Sequence, residues 1–120
     1  MIRKINFEVN GNLIKSDLKN DTIPKEFLDN GDIVMAEFEF SSDWDNSVKV
    51  AQFSKGNTEY DPQILEHGIT CVIPKEVLDG GFFRIAVLGK TRIGTYLRTY
   101  SKLITVRGMD KSKWIKQKNY

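Results

Sequence analysis

The sequence predicts an all-β fold, a sandwich or barrel of about eight or nine short strands. Three observations carry this. Apolar and polar residues alternate with period two in several runs, turn-forming residues separate those runs, and no stretch keeps the 3.6-residue period of a convincing helix. At 120 residues the chain is one domain, long enough to bury a core. Its 40% hydrophobic and 28% charged content is ordinary for a soluble globular protein.

Residues 32–53, DIVMAEFEFSSDWDNSVKVAQF, form the centre of the pattern. In the first half Val34, Ala36, Phe38 and Phe40 alternate with Ile33, Met35, Glu37 and Glu39. Such a strand packs one face while the other, here acidic, meets water. In the second half Ala51 and Phe53 share a face with Lys49, and Val48 and Val50 take the other. Between them, small polar turn formers surround Trp44, and its large apolar surface predicts a corner that folds over the end of the core. Phe38, Phe40, Trp44, Phe53, Phe83, Ile85 and Val87 are the expected core.

The remaining elements follow in order. Residues 4–9 place Ile5, Phe7 and Val9 on one face, and Asn10-Gly11 predicts a hairpin whose type I′ turn takes positive φ at both central residues. Residues 13–18 return, and 19–31 connect through one helical turn at 25–28. Lys55-Gly56-Asn57 is a tight turn before a short strand at 58–60, which Asp61-Pro62 interrupts because proline cannot donate to a ladder. Ile64-Leu65 resumes, Glu66-His67-Gly68 turns, and 69–73 is an apolar strand. Pro74 opens a single helical turn closed by Asp79-Gly80-Gly81. Residues 82–88 alternate, with Phe83, Ile85 and Val87 on the inner face; a turn at 89–94 precedes strands at 95–100 and 103–106. No internal repeat or low-complexity segment interrupts this order.

The body is therefore residues 1–107, followed by a basic, aromatic-containing tail at 108–120. Residues 110–120, DKSKWIKQKNY, hold four lysines against one aspartate and leave the rest of the chain near −1. Lys113, Trp114, Ile115, Lys116 and Tyr120 are candidate protein-interface residues, because aromatic anchors dominate interfaces. A frayed tail and one that folds back on the sandwich are the alternatives.

Signatures of catalysis are lacking. The single histidine, His67, stands in a turn, and the single cysteine, Cys71, lies in an apolar run where it acts as a small hydrophobe. No nucleophile elbow, phosphate loop or dinucleotide fingerprint occurs. Glu37 with Glu39 belong to an outer strand face, and Asp43 with Asp45 cap turn amides, too few oxygens for calcium. No cofactor or metal is implied. Lys90, Arg92 and Arg98 with Tyr96, Tyr100 and Trp114 form a basic-aromatic set of the kind that stacks nucleic acid, but a near-neutral body argues against that partner. No run approaches the ~18 apolar residues of a membrane span. The start lacks a signal-peptide run, so folding in a cytoplasm is expected.

Taken in order, the N-terminal hairpin, MAEFEFSSDWDNSVKVAQFSKG, ITCVIPKEVLDGGFFRIAVLGKTRIGTY and LITV resemble the N-terminal domain of phage baseplate upper proteins. Minor structural proteins of phages and prophages of low-GC Gram-positive bacteria are closely related to these. The matching residues are Phe38 and Phe40 before Trp44, Lys49, Ala51 and Phe53 after it, Cys71 with Ile73-Pro74 and Val77-Leu78, and Phe83 through Gly89. The resemblance covers residues 2–106 and implies an immunoglobulin-like antiparallel β-sandwich built into a tailed-phage particle. It further implies a non-enzymatic virion structural protein, present in multiple copies, that docks on a tail hub or baseplate. In that family a helical linker and a receptor-binding part follow the sandwich, whereas this sequence runs only a dozen residues further. Capsid decoration or a head-fibre anchor, a sugar- or receptor-binding module using Tyr60, Tyr96 and Tyr100, and a small phage protein acting on a host target are the alternative expectations.

Overall fold

A computed structural model describes residues 2–28 and 31–106. The eleven strands among them are β1 (Ile2–Asn10), β2 (Leu13–Ser16), β3 (Thr22–Ile23), β4 (Ile33–Phe40), β5 (Ser47–Lys55), β6 (Thr58–Glu59), β7 (Gln63–Ile64), β8 (Thr70–Val72), β9 (Gly81–Thr91), β10 (Tyr96–Arg98) and β11 (Lys102–Val106). They form two sheets. The smaller has the order β2-β1-β4-β8; the larger runs β3-β11-β9-β5-β6, with β7 also on β5 and β10 also on β9. The all-β sandwich expected from the sequence is the fold that forms.

The alternation in each long strand decides which side packs. Ile5, Phe7 and Val9 of β1 and Val34, Ala36 and Phe38 of β4 are buried against Ala51 and Phe53 of β5, Phe83, Ile85 and Val87 of β9, and Ile104 of β11. All seven expected core residues lie in this cluster, although Phe40 is only half-buried at its rim. Lys49 explains that exposure: its ammonium sits 5.1 Å above the Phe40 ring.

Three expectations need correction. The pairing is not wholly antiparallel: β1 runs parallel to β4, and β3 parallel to β11. After β2 the chain crosses to the larger sheet for β3 and returns through a 3-10 turn at Lys25–Phe27, so β4 enters beside β1 in the same direction. The strand count exceeds nine because the connection at 19–31 contributes a short strand of its own, β3, and the two expected interruptions each leave two separate strands. Pro62 divides β6 from β7 along β5, and Thr99 divides β10 from β11 along β9. At the second break Thr99 is buried and its hydroxyl accepts from the Val87 amide at 2.9 Å, so a side chain replaces the missing ladder carbonyl. Finally, the first hairpin loop is Gly11-Asn12, between the paired Asn10 and Leu13, and only Gly11 has positive φ (+60°). That is the type II′ pattern, which wants glycine at its first central position, and Gly56-Asn57 repeats it between β5 and β6.

Trp44 closes one pole of the sandwich. It ends a 3-10 turn, Ser42–Trp44, on the link that carries the chain from β4 to β5, and it is fully buried. Its indole N–H donates to the Gly11 carbonyl at 2.8 Å, and its ring lies 5.3 Å from that of Phe40. The facing floor is Gly89, inside β9 rather than in the turn the sequence suggested: a methyl group placed there would lie 2.9 Å from Cζ3 of Trp44. At the other pole the Lys55 ammonium donates to the carbonyls of Val77 and Gly80 and pairs with Asp79, tying the 3-10 turn Lys75–Leu78 to β5.

Asp21 joins three segments, pairing with Lys102 of β11 at 2.7 Å and accepting from Ser16 of β2 at 2.7 Å. Burial by itself raises its pKa, but the hydrogen bonds from Lys102 and Ser16, with the lysine's charge, hold it below the ordinary value. A carboxylate whose folded pKa is depressed stabilises the fold above its unfolded pKa of about 4, and the effect is lost as pH falls through the folded value.

Two predictions follow from these contacts. Trp44→Ala should destabilise by roughly 3–5 kcal/mol, and Gly89→Ala by about 1–3 kcal/mol through the clash with the ring; chemical denaturation measures both, and unchanged midpoints would contradict the closure. Asp21→Asn should melt lower than wild type at neutral pH, with the two curves converging as pH falls below the unfolded value of about 4 and through the depressed folded one; parallel curves would contradict the linkage.

Candidate functional site

The strand alternation that buries one face of β5 and β9 turns the other outward. Val48, Val50, Gln52 and Ser54 of β5 stand there beside Phe82, Arg84, Ala86, Leu88 and Lys90 of β9. Register then assembles rows across the sheet. Tyr96 of β10, Lys90 and Val48 form one, and Arg98, Leu88, Val50 and Ile64 form the next. A sheet face that meets water ordinarily alternates to polar residues. Here Tyr96 is 74% exposed, Ile64 72% and Val48 61%, so the apolar groups lie open. A shallow groove runs between Val48, Val50, Leu88 and Tyr96, with Lys90 and Arg92 at its side.

The charge on this face is positive. Lys90 holds its ammonium 5.4 Å from the centre of the Tyr96 ring. Arg84 and Arg98 flank the apolar rows, and neither makes an ion pair among the described residues. The arrangement offers contact area, an aromatic anchor and unpaired cations, which is the composition of a protein-docking surface.

The outer face of the smaller sheet has a different character. Glu8 and Glu39 stand side by side in the parallel register, with Lys15 across from Glu8, while Glu37 pairs with Lys4 at 3.3 Å. Toward the other end Ile2, Ile33, Met35 and Val72 form an apolar end.

The residues singled out in the sequence distribute unevenly over these faces. Tyr96 and Tyr100 are exposed, but Tyr60 packs against the core beside β5, so the three tyrosines do not form one platform. Asp43 accepts from the Ser41 hydroxyl, and Asp45 is exposed. His67 is exposed at a turn with φ +53°, its Nε2 3.8 Å from Glu66. Lys113, Trp114, Ile115, Lys116 and Tyr120 lie outside the described residues. Among the described residues no three His, Cys, Asp or Glu side chains are grouped to hold a metal ion, and no helix is long and apolar enough to cross a membrane. This apolar outer face went unnoticed in the sequence because its residues come from β5, β7, β9 and β10, and only the register joins them.

No family model, curated protein or solved structure matches the chain.

Cys71 is buried, and burial pushes its thiol up to about 12. The reactive thiolate is therefore scarce near neutral pH. Labelling by a thiol reagent at about pH 8 should proceed only as fast as the sandwich opens, and become rapid in denaturant. Labelling of the native protein at the rate of a free cysteine would contradict this placement.

Proposed function

We propose that the chain is a non-enzymatic structural protein of a bacteriophage particle, an adaptor that docks virion subunits through the outer face of its larger sheet. The observation that carries the docking role is the open set of Val48, Val50, Leu88, Ile64 and Tyr96, flanked by arginines that make no ion pair among the described residues. Contiguous apolar surface rimmed by polar groups marks an interaction site more often than it is left to solvent. The phage setting rests on the resemblance of residues 2–106 to the sandwich domain of baseplate upper proteins. A tail or baseplate position is favoured by that resemblance, and the same face would serve on a capsid. The partner's matching surface is apolar with carboxylates around it, because buried or opposed like charges penalise a wrong partner.

A sugar-binding role has less support, since Tyr60 is partly buried against the core beside β5 and leaves Tyr96 and Tyr100 without it.

Mass spectrometry of purified particles, with cryo-electron microscopy of the same sample, tests the proposal. The chain is expected in the particle, in multiple copies, with the larger sheet against a neighbour. Absence from the particle would overturn the virion reading, and copies held only through other surfaces would overturn the docking face.

A further inference from the structure

From the apolar-to-acidic order of the smaller sheet's outer face, we infer that residues 107–120 of the same chain seat on that face, with Trp114 on its apolar end and Lys116 and Lys118 over its carboxylates. The segment follows directly on β11 and lies outside the described residues.

The face changes character along its strands. The parallel register of β1 and β4 sets their outward residues in rows. Nearest the Lys55 pole are Ile2 and Ile33, exposed by 59% and 46%; Met35 and Val72, the latter 46% exposed, come next. Lys4 shares that second row but turns its ammonium to Glu37, 3.3 Å away. Glu37 stands in the third row, between Asn6 and Thr70, and Glu39 beside Glu8 in the fourth. These upper rows border a groove to which Asp17 and Asp45 add their carboxylates. Lys15 is opposite Glu8 and Lys49 is held over the Phe40 ring, so five carboxylates meet three lysines. Exposed Leu13 and Ile69 stand at the two margins, on β2 and just before β8.

Position and length bring the segment here. Asp21 bonds both Ser16, at the end of β2, and Lys102, at the start of β11, each at 2.7 Å. The start of β11 therefore lies behind the β2 side of the smaller sheet. From there β11 descends to Val106, opposite Gly81, at the pole where β1 begins with Ile2. β2 reaches down only to Ser16, level with Phe7, so below that level β1 is the margin of its sheet. Rounding this margin takes about 10 Å between sheets and about 5 Å more to clear the outward side chains. The eight steps from Val106 to Trp114 span up to roughly 26 Å, enough to bring Trp114 to the rows of Ile2 and Met35. Beyond it an extended chain rises about 7 Å every two residues, which is the spacing of the rows themselves. With Trp114 beside Met35 and Val72, Lys116 comes level with Glu37, and Lys118 with Glu39 and Glu8. The segment thus offers its apolar and basic groups in the order in which the face offers apolar and acidic ones.

The other seats are poorer. On the larger sheet Arg84, Lys90 and Arg98 would face the four lysines of residues 110–120. A neighbour's segment carries the same side chains, but a tether this short holds a chain's own segment at an effective concentration in the millimolar range, above that of other copies in dilute solution. Seated on the smaller sheet, the segment leaves the larger one open for the docking role proposed above.

Nuclear magnetic resonance of the whole, isotope-labelled chain tests this. Cross-relaxation is expected from the Trp114 ring to the methyl groups of Ile33, Met35 and Val72, and it should persist on dilution. Backbone amides of residues 114–118 should exchange at least about tenfold more slowly than in an unstructured chain. Lys116→Glu/Lys118→Glu and, separately, Glu8→Lys/Glu39→Lys should each lower that protection by about threefold or more, and the four changes in one chain should restore it. Melting curves check that each variant folds, and the first pair lies outside the strands of the sandwich, so it reads the contact even if the second costs stability. Unprotected amides, contacts from Trp114 to Phe82 or Leu103 instead, or a combined variant no better protected than either parent would overturn the inference. So would contacts found only between differently labelled copies in a mixture, which would make the occupant a neighbour's segment.

Discussion

The indole of Trp44 is the constraint on which the rest of this structure depends. It sits on the link between β4 and β5, where the chain passes from one sheet to the other, and it touches both. Its N–H is satisfied by Gly11, in the hairpin turn of the smaller sheet, while its ring rests on Gly89 of the larger. A buried indole N–H without an acceptor costs about as much as a lost hydrogen bond, so the turn and the corner fix each other's positions. Gly11 is held from a second side, its amide donating to Ser41 at 3.0 Å just before the corner. The sheets are thus locked in relative position at one pole by a side chain rather than by a continuous strand.

That lock gives the aromatic line in the smaller sheet its meaning. Phe7 stacks on Phe38 at 5.3 Å and Phe38 on Phe40 at 5.8 Å, and the Phe40 ring lies tilted by 40° against Trp44 at 5.3 Å. Each offset pair adds about 0.5–1.5 kcal/mol beyond its buried area, and the line runs from mid-sheet to the pole. Lys49 covers the outer side of Phe40, a use of a basic residue that places a charge on the rim without burying it.

Much of this was legible in the sequence, and the limits have physical causes. Alternation in β4, β5 and β9 reports directly which side chains face inward, and Trp44 among turn formers leaves few places for so large a ring. Direction of pairing is another matter: parallel and antiparallel neighbours share the same alternation, so the β1–β4 pair could not be distinguished. β3 is only two residues long and carries no pattern. Gly89 looked like a turn residue because its reason for being glycine, the ring of Trp44, comes from forty-five positions away. The apolar outer face of the larger sheet was hidden for a similar reason. Val48, Leu88, Ile64 and Tyr96 are isolated apolar residues on separate strands, each unremarkable until the register sets them in rows.

The sequence also suggested that a near-neutral body leaves little electrostatic footprint, and the fold changes the premise of that argument. Net charge describes a molecule seen from far away. A docking partner lies within a few ångströms, where screening at physiological salt extends only about 8 Å. The two sheets stand about 10 Å apart, and their outward side chains further still, so a partner on one face feels little of the other. What matters is how charge is sorted: Glu8, Glu39 and Lys15 share the Trp44 pole of the smaller sheet, whereas Lys90 and Arg98 stand at the same pole of the larger with only Val48, Tyr96 and Leu88 in register. Strand order and register do that sorting, because residues two apart on one strand share a face and residues in register on its neighbours join them. A small net charge is therefore compatible with a locally basic face, because the carboxylates of the smaller sheet stand beside Lys4 and Lys15 while the cations of the larger sheet stand among apolar residues.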